Sequence, residues 1–182
     1  MTAIPSLAIT LRDATPDDAC CLSALGMQVF LDTYATQGIR DSIAREALDA
    51  FAPQAFASLL AEPANVMIRV VEVQRHLIGF AQVALRTDHS IVGDPDAAEL
   101  QRLYVQERFT GRGAGGQLLE AAEQWAARKR ASLLWATVWS DNQRALRFYP
   151  RKGYEVKGYP HYEFQGEIHG NSLFAKVLSR SV

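Results

Sequence analysis

Two hydrophobic periodicities alternate along the chain. A short β-prone run at residues 7–11 is followed by Thr15-Pro16-Asp17-Asp18, which supplies an N-cap threonine, a first-turn proline and an aspartate at the third position. That pattern predicts a helix from about Pro16, and Leu22, Leu25, Gly26, Val29 and Phe30 extend it at helical spacing to about Leu31. From Asp41, a second stripe of Ile43, Ala47, Ala50 and Phe51 is interrupted by Pro53 and resumes at Phe56, Leu59 and Leu60, which predicts two short helices. Residues 65–73 and 77–85 are rich in β-branched side chains and separated only by Gln74-Arg75-His76, the mark of an antiparallel hairpin. A polar stretch over 86–98 with Gly93-Asp94-Pro95 reads as a surface loop.

The second half opens on a strand, Glu99-Leu-Gln-Arg-Leu-Tyr-Val105, then the turn Thr110-Gly-Arg-Gly-Ala-Gly-Gly116, then a helix to about Arg130 with Leu118, Leu119, Ala122, Trp125 and Ala126 on one face. A strand over 132–139 comes next. Ser140-Asp-Asn-Gln143 has capping-box spacing for a helix through Tyr149, ended by Pro150 and Gly153. Two strands fit 154–168, broken near Tyr159-Pro160, and 172–178, joined across His169-Gly170-Asn171. No repeat or shift in composition divides the chain, so residues 1–182 read as a single mixed α/β (α+β) domain.

Composition narrows the function. The chain has 182 residues, 48% hydrophobic and 21% charged, with 19 basic against 20 acidic side chains. The basic excess of a nucleic-acid binder is missing, so no nucleic-acid partner is expected. No stretch approaches the roughly 18 apolar residues that span a bilayer, and the N-terminus has no secretory pattern, so a cytoplasmic protein with no membrane partner is expected. Cys20 and Cys21 are adjacent and no CxxC spacing exists, which argues for reduced thiols and no metal site.

The glycine turn carries the chemistry. A strand, a tight turn and a helix start put unpaired backbone N–H groups where the macrodipole favours negative charge, so the turn is an anion cradle suited to phosphates. Gly111, Gly113 and Gly116 match the G-x-G-x-x-G spacing of a dinucleotide site. Against that reading, the motif follows an antiparallel hairpin and lacks the acidic residue expected roughly 20 positions on. A nucleotide P-loop needs Lys-Ser or Lys-Thr after the glycines, and neither is there.

Thr110-x-x-Gly113-x-Gly115 after a strand ending Leu-Tyr-Val105, followed by Asn142-x-x-Ala145-x-x-x-Tyr149-x-x-x-Gly153-Tyr154, resembles the GCN5-related N-acetyltransferase (GNAT) superfamily. Leu11-Arg12-Asp13-Ala14 and Ile78-Gly79-Phe80 stand in the family's order, so the likeness covers most of the chain. It implies a mostly antiparallel central sheet of six to seven strands flanked by helices, splayed between the fourth and fifth strands. It implies acetyl-coenzyme A as co-substrate, bound by Leu103, Tyr104, Val105, Arg108, Thr110, Gly111, Arg112, Gly113, Ala114, Gly115, Gly116 and Asn142. Pantetheine would pair with the backbone of Leu103 and Val105 as another strand would. Thr110 departs from the family's usual Gln or Arg, which leaves Arg108 or Arg112 to face the phosphates.

The implied reaction moves an acetyl group from the thioester to a primary amine by direct attack in a ternary complex. Tyr149 stands at the family's general-acid position; a core aromatic is the other reading of it. Glu99 stands where some members carry a general base, working through water, and an exposed carboxylate at a strand's start is its alternative. The N–H near Val105 would stabilise the oxyanion. The acceptor walls nominate Phe30, Tyr34, His161 and Tyr162, with a small-molecule or peptide amine as partner and a homodimer left open. A non-catalytic acyl-coenzyme A sensor or scaffold is the competing function; it would keep the glycine turn but need neither Tyr149 nor Glu99.

Overall fold

A computed structural model describes residues 8–61, 63–164 and 167–179. β1 (Ile9–Asp13) leads through a 3-10 turn (Pro16–Asp18) into α1 (Ala19–Tyr34), α2 (Asp41–Ala50) and α3 (Pro53–Ala61). The hairpin β2 (Val66–Val73) and β3 (His76–Leu85) precedes β4 (Ala98–Val105), a second 3-10 turn (Glu107–Phe109) and α4 (Ala114–Arg128). Then come β5 (Leu133–Trp139), α5 (Gln143–Arg151), β6 (Glu155–Gly158), β7 (His161–Phe164) and β8 (Glu167–Val177). Among the described residues, no helix is long and apolar enough to cross a membrane.

The strands form one sheet in the order β1-β2-β3-β4-β5-β8-β6, with β7 paired to β8. All pairings are antiparallel except β4 with β5, which is parallel and confined to Ala98 opposite Leu134 and Glu99 opposite Trp135. Beyond Glu99 the two strands part, which is the splay expected between the fourth and fifth strands. Among the described residues the sheet has eight strands, more than expected, because the region after α5 contributes three.

Helices cover both faces. α4 turns Ala114, Leu118, Leu119, Ala122 and Ala126 inward against β2 to β5, in one cluster with Leu100, Leu134 and Phe174. Burying a leucine this completely stabilises by about 2 kcal/mol. α1 to α3 cover the other face of β2 to β4 through Leu22, Leu25, Phe51 and Phe56 on Ile68, Val70 and Phe80.

Several boundaries differ from the sequence expectation. α1 runs one turn past Leu31 to Tyr34, where the Tyr34 ring packs on Phe30 (centroids 4.8 Å) and Trp139 (5.4 Å). Ser140 does not cap α5; the Asn142 carboxamide oxygen does, accepting the Ala145 N–H at 3.1 Å. Pro150 does not end that helix, which continues to Arg151 and closes in a Schellman arrangement. Gly153 adopts φ 83°, the Tyr154 N–H bonds the Tyr149 carbonyl (3.2 Å), and the Gly153 N–H bonds that of Pro150 (3.1 Å). Finally, His169, Gly170 and Asn171 are not a turn but lie within β8, with His161 opposite Gly170. A Cβ at 170 would come within 3.1 Å of the Ser140 hydroxyl, a tight approach that glycine avoids. Phe164 stands opposite Glu167, and the intervening positions fall outside the described residues.

Candidate active site

A β-bulge decides what β4 presents. Val83 pairs with Leu100 and Gln82 with Arg102, so Gln101 is an extra residue and the alternation of side chains changes phase there. Ala98, Leu100, Leu103 and Val105 consequently point to the α4 side, where all four join its core. Glu99, Arg102 and Tyr104 share the opposite face with their β3 partners Ala84, Gln82 and Phe80. Strict alternation would have put Glu99 with Leu103 and Val105 instead.

The backbone of β4 faces the splay in a defined way. The Gln106 N–H bonds the Ile78 carbonyl at 2.9 Å, which makes that pair a hydrogen-bonded one. By antiparallel alternation Tyr104 also bonds toward β3, whereas Leu103 and Val105 turn their N–H and C=O groups away from it. Those groups point into the gap that β5 leaves open past Glu99. An amide-bearing ligand laid along the gap would find the donors and acceptors of a missing strand.

The glycine turn stands at the end of this edge. Gly111 (φ 74°) and Gly113 (φ 89°) take left-handed conformations that other residues adopt at a cost of about 1–2 kcal/mol. Gly113 is the N-cap of α4 and carries no capping side chain, so the amides of the first turn, Ala114, Gly115 and Gly116, have no acceptor within the helix. Thr110 turns its hydroxyl back to the Glu107 carbonyl (2.8 Å). Arg108 and Arg112 are exposed and lie 5.2 and 5.9 Å from the Phe109 ring. Arg108 also lines a recess of about 600 Å³ between α1 and the β2–β3 turn.

One cation escaped the sequence reading. The Lys152 ammonium would lie 3.0 Å from a Cβ at Gly116, against the first turn of α4. A positive charge at the positive end of a helix is unfavourable by itself and becomes favourable when an anion sits between the two. Lys152 is 36 residues from Gly116 in sequence, and only the folded chain brings the two together.

Tyr149 is buried, 6% exposed, with its ring stacked on Phe174 (5.4 Å, 19°) and edge-on to Tyr154 (5.3 Å). Its ring belongs to the α4-side core. Burial, reinforced by Tyr34 and Tyr104, pushes the phenol well above the usual tyrosine range, so it keeps its proton at neutral pH. Tyr104 is raised in the same way, and burial also raises Tyr34.

Glu99 is half-buried, and burial raises its carboxyl above the ordinary range. A hydrogen bond from Gln101 (3.4 Å) and the positive charges of His89 and Arg102 oppose that rise. Phe30 and Tyr34 join an aromatic series running Phe80, Tyr104, Phe51, Phe30, Tyr34 and Trp139, each ring within 6.0 Å of the next. His161 and Tyr162 stand apart from it on β7 and are exposed. The Ser140 N–H bonds the Gly170 carbonyl (3.0 Å), which places their hairpin just beyond Trp139 at the end of β5. Asn142 has committed its oxygen to the α5 cap, leaving its NH2 group for any ligand.

Comparison with known proteins agrees with this geometry. The N-acetyltransferase YhfO of Bacillus subtilis is 29% identical over 155 residues, 85% of this chain and 95% of its own. Spermine/spermidine N(1)-acetyltransferase of the same organism is 28% identical over 92 residues, 50% of this chain and 59% of its own. In three dimensions, PaiA N-acetyltransferase from Thermoplasma acidophilum, solved with coenzyme A, superposes with TM-score 0.75 at 19% identity, covering 93% of this chain and 99% of that one. YncA of Salmonella typhimurium, solved with acetyl-coenzyme A, gives 0.68 at 19% identity over 96% of each chain. The family model described as Acetyltransferase (GNAT) family matches residues 34–154, from the last residue of α1 to the close of α5. With more than half its length inside that match, the chain belongs to the GNAT family and is an acetyltransferase.

Proposed function

We propose that this acetyltransferase moves the acetyl group of acetyl-coenzyme A directly onto a primary amine held in the same complex. The observation that carries the reading is the gap beside β4, which the Leu103 and Val105 backbone groups face without a strand partner. The pyrophosphate would sit on the amides of residues 113–116, with Lys152 and Arg112 facing it. Glu99 accepts the amine's proton through water, the amine nitrogen bonds to the acetyl carbon, and the carbon–sulfur bond breaks. Tyr149 gives its proton to the departing sulfur, and the Val105 N–H stabilises the negative charge on the carbonyl oxygen. The Tyr149 phenol carries the proton a donor needs, and burial raises the Glu99 carboxyl above its ordinary range, which strengthens its ionised form as a base.

The aromatic series from Phe80 to Trp139 and the exposed His161 and Tyr162 border the face on which the amine would arrive. Because one relative bears the name of a spermine/spermidine acetyltransferase, polyamines head the acceptor panel. The test is wild-type protein with acetyl-coenzyme A and a panel of polyamines, amino acids and peptides, following release of the free thiol. Turnover on an amine supports the proposal. Saturable coenzyme binding with no turnover on any amine supports the sensor module instead.

A further inference from the structure

Glu99 does not stand alone on its face of the sheet. The Arg102 guanidinium donates to Gln82 Oε1 at 2.6 Å, Gln82 Nε2 donates to Gln101 Oε1 at 2.8 Å, and Gln101 Nε2 donates to Glu99 Oε2 at 3.4 Å. Arginine has donors only and an ionised carboxylate acceptors only, so the two ends fix which way both amides point. Every donor in the chain is directed toward Glu99. We infer that Arg102, Gln82 and Gln101 form a one-way hydrogen-bond relay that positions the Glu99 carboxylate as the base. The inference rests on the proposed role of Glu99 and extends it to three positioning residues.

The relay is built into the fold. Gln82 is 4% exposed, a depth at which an amide needs partners for both its ends, and Arg102 and Gln101 provide them. Arg102 is held by the Ala50 carbonyl at the end of α2 (3.2 Å) and by the Phe51 ring 4.8 Å away. Burial lowers its own pKa. The bulge makes the connection: it sets Gln101, the extra residue, between Glu99 and Gln82.

The charges acting on Glu99 are Arg102 on its own strand and His89 from the loop before β4. Its strand neighbours, Ala84 on β3 and Trp135 on β5, carry none. Donation into the carboxylate favours its ionised form against burial, so the relay keeps the base available at lower pH than burial alone would permit.

The experiment compares Gln82→Met, Gln101→Glu and Gln101→Lys with wild type. It uses kcat/KM against pH for one acceptor, so that the acceptor's own ionisation cancels, and the carboxyl ¹³C titration of Glu99. Gln82→Met and Gln101→Glu move the acidic limb to higher pH, losing about three- to tenfold at pH 6 and less than twofold at pH 9. Gln101→Lys moves it the other way. Opposite displacements from one exposed position are something a purely structural role does not produce. Coincident Glu99 titrations in all four proteins overturn the relay. If Glu99 titrations move but Glu99→Gln retains wild-type kcat/KM and its pH profile, the relay stands and the base assignment fails.

Discussion

Replacing Tyr149 with phenylalanine isolates one oxygen atom. The ring's stack on Phe174 at 5.4 Å and its edge contact with Tyr154 at 5.3 Å belong to the carbon framework and survive. The Schellman closure uses the Tyr149 carbonyl and survives as well. Loss of the hydroxyl alone should cost no more than about 1 kcal/mol of stability, a Tm change of at most roughly 2–4 °C in a chain of this size. Catalysis responds differently. A positioned general acid supplies about 10²- to 10⁴-fold, and the buried phenol sits where bulk water is a poor substitute donor. Tyr149→Phe should therefore lower kcat by about 10²-fold or more, roughly 2.7 kcal/mol of barrier, with KM for acetyl-coenzyme A changed by less than threefold. The measurement is steady-state thiol release beside a thermal melt. Because the phenol is raised, it holds its proton through the ordinary tyrosine range, so wild-type activity should show no alkaline loss from this group below about pH 10. A variant within threefold of wild-type kcat refutes the general-acid assignment, whatever its melting temperature.

Gly113→Ala forces a side chain to φ 89° at the α4 N-cap and should cost about 1–2 kcal/mol, a fall in Tm of roughly 3–6 °C, while weakening acetyl-coenzyme A in a calorimetric titration. Lys152→Ala should raise KM for acetyl-coenzyme A about five- to twentyfold, reduce its dependence on salt and leave kcat within twofold. Asp18, buried at 7%, accepts from Arg12 at 2.7 and 2.9 Å and from the Thr15 N–H at 2.8 Å, and the Arg12 bonds hold its carboxyl below the ordinary range. A lowered carboxylate contributes stability above its unfolded pKa and loses it as pH falls through the folded one. Asp18→Asn should therefore lower Tm at pH 7 by several degrees, with a gap to wild type that narrows on acidification below pH 4, seen by melts across that range.

Much of the architecture could be read from local signals. Pro53 marks the break between α2 and α3, the spacing of Leu118, Leu119 and Ala122 marks the buried face of α4, and the three residues at 74–76 mark the hairpin. That turn uses Gln74 (φ 50°) and Arg75 (φ 65°), both left-handed, without the glycine or asparagine that would have announced its type. Where the reading failed, a local signal had two meanings. Ser140 and Asn142 are both good caps, and the choice between them depends on where β5 ends. Gly170 reads as a turn, but it lies within a strand and close against the Ser140 hydroxyl, thirty residues earlier in sequence. Lys152 was invisible as a neighbour of the glycine turn because nothing local connects it to Gly116. The bulge was invisible because Gln101 carries no glycine or proline signature, and its evidence is the register against β3.

That bulge lets the two ends of β4 keep one facing pattern despite an odd residue between them. Deleting Gln101 would close the ladder with β3, Leu100 against Val83 followed directly by Arg102 against Gln82, and would leave Glu99 on its present face opposite Ala84. What would be lost is the amide that lies between Gln82 and Glu99. Drawing Gln101 into a regular ladder without removing it would instead turn Glu99 to the side of Leu103 and Val105, beneath α4. The extra residue is a link that the strand carries outside its own register, and the proposed site depends on its staying out of line.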